Sequence, residues 1–153
     1  MLIYDNGKFC VHGFAFEVPN GYAINTEPME CLPDGFGAWA AGGEEIYIEW
    51  EIETGCNGTY NELAALFIPG SGMFPITGIN PIIINGLPGH HVVYSYKGGQ
   101  RYEIRLSSGE GRELSFRVSS EDVDILTAVN VPSVQTAIKG IWPWKPKEKT
   151  PDE

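Results

Sequence analysis

Two adjacent histidines, His90 and His91, are the side chains of this chain best suited to proton transfer or metal binding. Imidazole titrates near neutrality and can ligate an ion through either ring nitrogen. Neighbours on a strand point to opposite faces, so the two rings cannot close on one ion from regular strand geometry. His90 shares parity with Val92 and Tyr94 and is expected on the core side. His91, with Ser95 and Lys97, is expected on the wet side. His12 could join them only by tertiary contact. The pair therefore reads as one half-buried, hydrogen-bonded ring and one surface ring. His90, His91 and Glu49 remain the candidate metal ligands.

Cys10, Cys31 and Cys56 are nucleophiles by type only. No Gly-x-Ser-x-Gly elbow occurs; Gly70-Ser71-Gly72 resembles its centre, and no strand feeds it. An odd cysteine count without Cys-x-x-Cys spacing does not look like a disulfide framework. The N-terminus has no basic region followed by a long apolar run, so a reduced, cytoplasmic setting is expected. Glu45, Glu49, Glu51 and Glu53 form a row of carboxylates. Same-face residues on a strand lie roughly 6.6–6.8 Å apart, so the row could give an ion one or two ligands and no cage. Two carboxyls at glycosidase separation are available on any strand and carry no weight. Arg101, Arg105 and Arg117 are the expected partners of these acids. No phosphate-binding loop is present. Neither a catalytic residue nor a cofactor is assigned.

Such side chains need elements to hold them. The chain has 153 residues, 42% of them hydrophobic and 20% charged, which suits one folded domain. The formal charge of −10 disfavours a nucleic-acid partner, and no apolar run approaches the ~20 residues of a membrane span. Up to Glu62 there are eleven acids against one base, and the remainder is neutral. The asymmetry fits an acidic sheet face beside a basic one, or an interaction surface.

Residues 45–53 alternate apolar and polar, the mark of a strand with one buried face. Three further segments, 90–97, 101–107 and 112–119, follow the same rule, joined by Lys97-Gly98-Gly99-Gln100 and Ser108-Gly109-Glu110-Gly111. They predict a three-stranded antiparallel meander. Residues 14–18 read as a strand ended by Pro19-Asn20-Gly21, residues 36–41 as another, and residues 81–84 as a short apolar run. Residues 9–11 pair with the first of these or form a short edge. Helices are predicted over 60–68, capped by Thr59, over 120–128, capped by Ser120, and over 132–141, with Pro132 in the first turn. Residues 142–153, rich in proline and lysine, read as an extended tail on a domain of residues 1–141. Within that segment Trp142 is expected to dock on its own domain, with Trp144 more exposed. Residues 69–78 read as a loop carrying Met73 and Phe74. The expected fold is α+β: one antiparallel sheet of about six strands, its apolar face covered by helices.

Phe14-x-Phe16-x-Val18-Pro19-x-Gly21-Tyr22 resembles the opening of PsbP-like domains. The order of elements is similar too: a helix containing Glu62-Leu63-Ala64-Ala65-Leu66, the turn Asn85-Gly86-Leu87-Pro88-Gly89, then paired strands and a C-terminal helix. The resemblance implies an α/β/α sandwich whose members mostly bind other proteins, with no shared catalytic residues to carry over. A non-enzymatic binding or assembly domain contacting another protein is therefore the expected function. Its candidate surfaces are the Glu45, Glu49, Glu51, Glu53 face, the Met73-Phe74 loop and the Trp142/Trp144 edge. The alternatives are a small-molecule or metal-binding protein, including a hydrolase built on His90, His91 or a cysteine, and a subunit whose sheet edge pairs with itself.

Overall fold

The computed structural model of the chain describes residues 3–5, 8–27, 36–42, 46–54, 63–67, 69–109, 111–120 and 123–145. In chain order its strands are β1 (Ile3–Asp5), β2 (Lys8–Val11), β3 (Phe14–Phe16), β4 (Ala23–Glu27), β5 (Phe36–Ala41), β6 (Ile46–Glu53), β7 (Met73–Pro75), β8 (Asn80–Ile84), β9 (Leu87–Tyr96), β10 (Gly99–Ser107), β11 (Glu113–Ser120) and β12 (Trp142–Pro143). A 3-10 turn spans Leu63–Phe67, and two helices, α1 (Ile125–Asn130) and α2 (Pro132–Lys139), precede β12. With 55% strand, the class is α+β or mainly β.

Two-residue turns do much of the folding. His12-Gly13, Asn85-Gly86 and Lys97-Gly98 all have positive φ at both positions, as a type I′ hairpin requires. They tie β2 to β3, β8 to β9 and β9 to β10. The main sheet is antiparallel in the order β4-β5-β6-β11-β10-β9, with β7 and β8 both beside β9 at the far edge. That makes eight strands where about six were expected. A second sheet, β1-β2-β3-β12, is formed by the two ends of the described chain.

The alternation of β6 survives as strict burial of Ile46, Ile48, Trp50 and Ile52. Leu114, Phe116 and Val118 of β11 and Ile104 and Leu106 of β10 continue that apolar face. The small sheet covers it at one end, where Phe16 stacks on Trp50 with ring centroids 5.0 Å apart. The helices cover it beside that, inserting Ile125, Ala128, Val134 and Ala137.

The opposite face carries a second, smaller cluster: Leu63, Val92 and Tyr94, with Leu66, Phe67 and Met73 against them. Its origin is the phase of β9. The Lys97-Gly98 turn pairs even-numbered β9 residues with odd-numbered β10 residues, so Val92 lies opposite Glu103 and Val93 opposite Tyr102. Val92 and Tyr94 therefore leave the face of Tyr102 and Ile104.

Several expected boundaries move. Residues 63–67 form a 3-10 turn within the span expected to be helical, while Thr59 and residues 60–62 lie outside the described residues. The helix expected from Ser120 starts at Ile125 instead. Ser120 ends β11, its hydroxyl accepting from the Val123 N–H, and Asp124 caps the helix by accepting from the Leu126 N–H. Met73 and Phe74 sit in a strand, not a loop. Trp142-Pro143 pairs with β3, and the Trp144 N–H donates to Gly13, so the first residues of the expected tail belong to the fold. Trp142 is the exposed tryptophan of the two and holds the Lys8 ammonium over its ring at 5.2 Å; Trp144 is the more buried. Among the described residues no helix is long and apolar enough to cross a membrane.

Candidate functional site

On the face opposite the main core, alternation places Glu103 between Arg117 and Val92 across the strands. Glu103 is 0% exposed. A buried carboxylate survives only with its lone pairs occupied, and three donors occupy these. Arg117 Nε reaches one oxygen at 2.8 Å, Tyr94 Oη reaches the same oxygen at 3.0 Å, and Arg105 Nε reaches the other at 2.9 Å. Arg117 continues outward to Glu51 at 2.7 Å and Glu49 at 3.4 Å. Burial of the Arg117 guanidinium opposes its charge, but the Glu103 and Glu51 carboxylates outweigh that and hold it well above its usual range. Burial first, then the Glu103 charge, push the Tyr94 phenol up to about 12.

This arrangement consumes the row of acids. Glu49 and Glu51 face Arg117, as expected of a neighbouring basic strand, whereas Arg105 turns to Glu103. Arg101 lies over the Tyr96 ring at 4.6 Å. Glu53 lies opposite Glu113 in the register, and Glu45 lies outside the described residues. Glu103 itself escaped the sequence reading. The signal for it was present: a glutamate of the parity opposite Ile104, two residues from each of two arginines.

The histidines are not brought together. His90 lies on the Val92 and Tyr94 face; His91 lies on the face of Val93 and Tyr102, the principal core side and not the wet side expected for it. Its Nδ1 is 2.6 Å from the Tyr102 hydroxyl, with the rings edge to face. Burial, with a smaller contribution from the charge of His90, lowers its pKa. His12 is the first residue of a hairpin turn. The Cys10 thiol is buried and contacts the Lys8 carbonyl at 3.8 Å; Cys31 and Cys56 lie outside the described residues. Among the described residues no three His, Cys, Asp or Glu side chains gather as a metal cage would require.

The remaining candidate, the segment of Met73 and Phe74, forms the sheet's outer edge. It carries Phe74, Ile76 and Ile83, which are 66%, 51% and 73% exposed. The turns at each end of β9 fix which backbone groups face outward. Type I′ geometry makes Ile84 and Leu87 a hydrogen-bonded pair, so Ile82 and Asn80 also aim inward, while Ile83 and Pro81 aim outward. On β7 the same phase sends Phe74 inward and Met73 and Pro75 outward. Between the two, the Ile76 and Thr77 N–H groups both donate to the Val93 carbonyl, and the Val93 N–H donates to the Thr77 hydroxyl at 2.9 Å. Thr77 thus closes the bulge that joins the two halves of the edge.

A hollow of about 440 Å³ lies at the other end of the sheet, lined by Asn20, Gly21, Tyr22, Ile46, Val131, Pro132 and Ser133. The Tyr22 and Ser133 hydroxyls are 3.1 Å apart there.

No family model matches the chain, and no curated protein does.

Proposed function

We propose that this chain is a non-catalytic binding domain that contacts another protein through the β7–β8 edge. The observation that carries the reading is the exposure of Phe74, Ile76 and Ile83 along the edge made by β7, β8 and the link between them, with Phe74 and Ile83 on opposite faces of the sheet. Large apolar side chains held in water on ordered strands are a feature of interaction surfaces. The other two expected surfaces are weaker. Glu49 and Glu51 are already turned to Arg117, and Trp142 is paired through its backbone and covered by Lys8. The PsbP-like order of elements points the same way, since such domains mostly bind proteins.

A hydrolase or metal site built on His90, His91 or Cys10 has less support. The rings leave opposite faces of β9, and the thiol sits in the core. The hollow beside Tyr22 and Ser133 favours a small-molecule reading as second choice, because two hydroxyls there border apolar walls.

Photo-crosslinking separates these. A photoreactive residue placed at Phe74 or Ile83 is expected to trap a discrete protein partner in lysate, and one placed at Leu126, which is also exposed but on α1, is not. Equal, diffuse labelling from all three positions refutes the edge as the contact surface.

A further inference from the structure

We infer that Asn20 is a covalent modification site: in the native protein its carboxamide closes onto the Gly21 backbone nitrogen and becomes a carboxylate, while the fold withholds Asn85 from the same reaction. The reaction needs no partner and is independent of the binding-domain reading. Four asparagines precede a glycine: Asn6, Asn20, Asn57 and Asn85. Such pairs are open to ring closure, because glycine has no Cβ to obstruct the approach of its nitrogen and swings freely about its backbone bonds. Asn6 and Asn57 lie outside the described residues.

The two described sites share the glycine and differ in the carboxamide. Space is open at both, since a Cβ on Gly21 or Gly86 would meet nothing within 4 Å. Asn20 is exposed, at the second position of a turn that the Tyr22 N–H closes onto the Pro19 carbonyl at 3.2 Å. Gly21 takes the third position with φ 85°, as in a type II turn, which leaves its own N–H outside the hydrogen bond of the turn. Among the described residues the Asn20 carboxamide has no hydrogen-bond partner. Asn85 is half-buried, and its Nδ2 donates to the Lys139 carbonyl at 2.8 Å and to the Ile141 carbonyl at 2.6 Å. Its backbone is also held at φ 48° in the β8–β9 turn. The Asn85 Cγ can turn to the Gly86 nitrogen only after both bonds to the end of α2 have opened.

At Asn20 the Gly21 nitrogen attacks Cγ, and the new N–Cγ bond closes a succinimide ring. The Cγ–Nδ2 bond breaks, and the Gly21 amide proton leaves with the side-chain nitrogen as ammonia. Water then opens the ring. Attack at Cγ gives aspartate, and attack at the main-chain carbonyl gives isoaspartate, with one more carbon in the main chain. Either product sets a carboxylate at the hollow that Asn20 lines with Tyr22 and Ser133.

The test incubates the full folded chain at mildly alkaline pH. Each site is then read by mass spectrometry of a glutamate-specific digest, with aspartate and isoaspartate peptides separated by chromatography. Conversion is expected at Asn20, as a mixture of the two acids. At Asn85 it should be slower by roughly tenfold or more, because two hydrogen bonds must open first. In denaturing urea the two rates should converge. If the folded chain leaves Asn20 intact over a time in which the unfolded chain converts, the site assignment is overturned. Native conversion of Asn85 as fast as that of Asn20 overturns its protection. A gap of the same size in urea shows that local sequence sets the rates, and overturns the part given to the fold.

Discussion

Glu103 is the residue whose loss this fold tolerates least. Removing it takes the innermost carboxylate from two guanidiniums: Arg117, which is mostly buried and turns also to Glu51 and Glu49, and Arg105, whose side chain is 11% exposed. Breaking a buried ionic network from one side costs about 3–5 kcal/mol, because an uncompensated charge stays behind. Glu103→Ala should therefore lower the free energy of unfolding by that order in a urea titration. Glu103→Gln keeps an acceptor and should cost less; equal losses for the two would show that packing, not charge, is what Glu103 supplies. Gly89 is the other sensitive position. A Cβ there would lie 1.8 Å from the Arg105 carbonyl oxygen, which is backbone of a paired strand and cannot swing away. Gly89→Ala should cost about 1–3 kcal/mol or more by overpacking, again read in urea; an unchanged midpoint would mean that β9 and β10 can part at no cost. The sequence made the partnership of Arg117 with the acidic row legible, because alternation sets the parity of each. It left Glu103 unread because a charged residue was taken to mark the wet face.

The same limit operates at the scale of elements. Strands β6, β9, β10 and β11 were legible from period-two patterning, and the hairpin turns from their glycines. Which apolar triad shares a face with which was not read, although the Lys97-Gly98 turn dictates it: a two-residue connection pairs even with odd. Reading Val92 and Tyr94 as core was right, but the core in question is the smaller one under the 3-10 turn. Helix α1 starts later than its patterning suggested because Ser120 is still paired to β6 through Ile46. Residues 69–78 have the pattern of a loop because Pro69, Gly70, Gly72, Pro75 and Gly78 interrupt their apolar residues, while 81–84 have that of a short apolar run. Pro75 and Pro81 remove two outward N–H groups from this edge. Replacing both, Pro75→Val with Pro81→Val, restores two outward N–H groups on an edge that already displays Phe74, Ile76 and Ile83. The double variant should form dimers or larger species in sizing chromatography at concentrations where the parent chain does not. Identical elution of the two proteins would mean that the prolines do not guard this edge.

Across the whole molecule, the uneven charge becomes a seam. The acidic first part supplies β4, β5 and β6, and the neutral remainder supplies β7 to β11; they meet where β6 pairs with β11. Charge made a basic neighbour for β6 legible, but turn signals connect only neighbours in sequence, so which later strand it would be was not, nor was the small sheet that joins Phe14-Ala15 to Trp142-Pro143. Arg117 sits on the seam, and the Glu103 carboxylate that holds it also holds Tyr94. That ties global stability to the ionisation of phenols. Burial and the Glu103 charge raise Tyr94 from 10.0 to about 12, and burial alone raises Tyr102 likewise. A raised folded value means that the native state keeps protons the unfolded chain has already released. Their contribution is fully present below the unfolded value of 10.0 and is lost as pH climbs from there towards about 12. The slope is at most about 1.4 kcal/mol per pH unit for each phenol. Urea midpoints should hold level for these groups below that window and then fall within it. Tyr94→Phe should flatten the fall while leaving Glu103 its two arginine donors, and Tyr102→Phe should flatten it without touching that network. If the urea midpoints of Tyr94→Phe and Tyr102→Phe fall as steeply over this window as those of the parent chain, the seam does not depend on these hydroxyls.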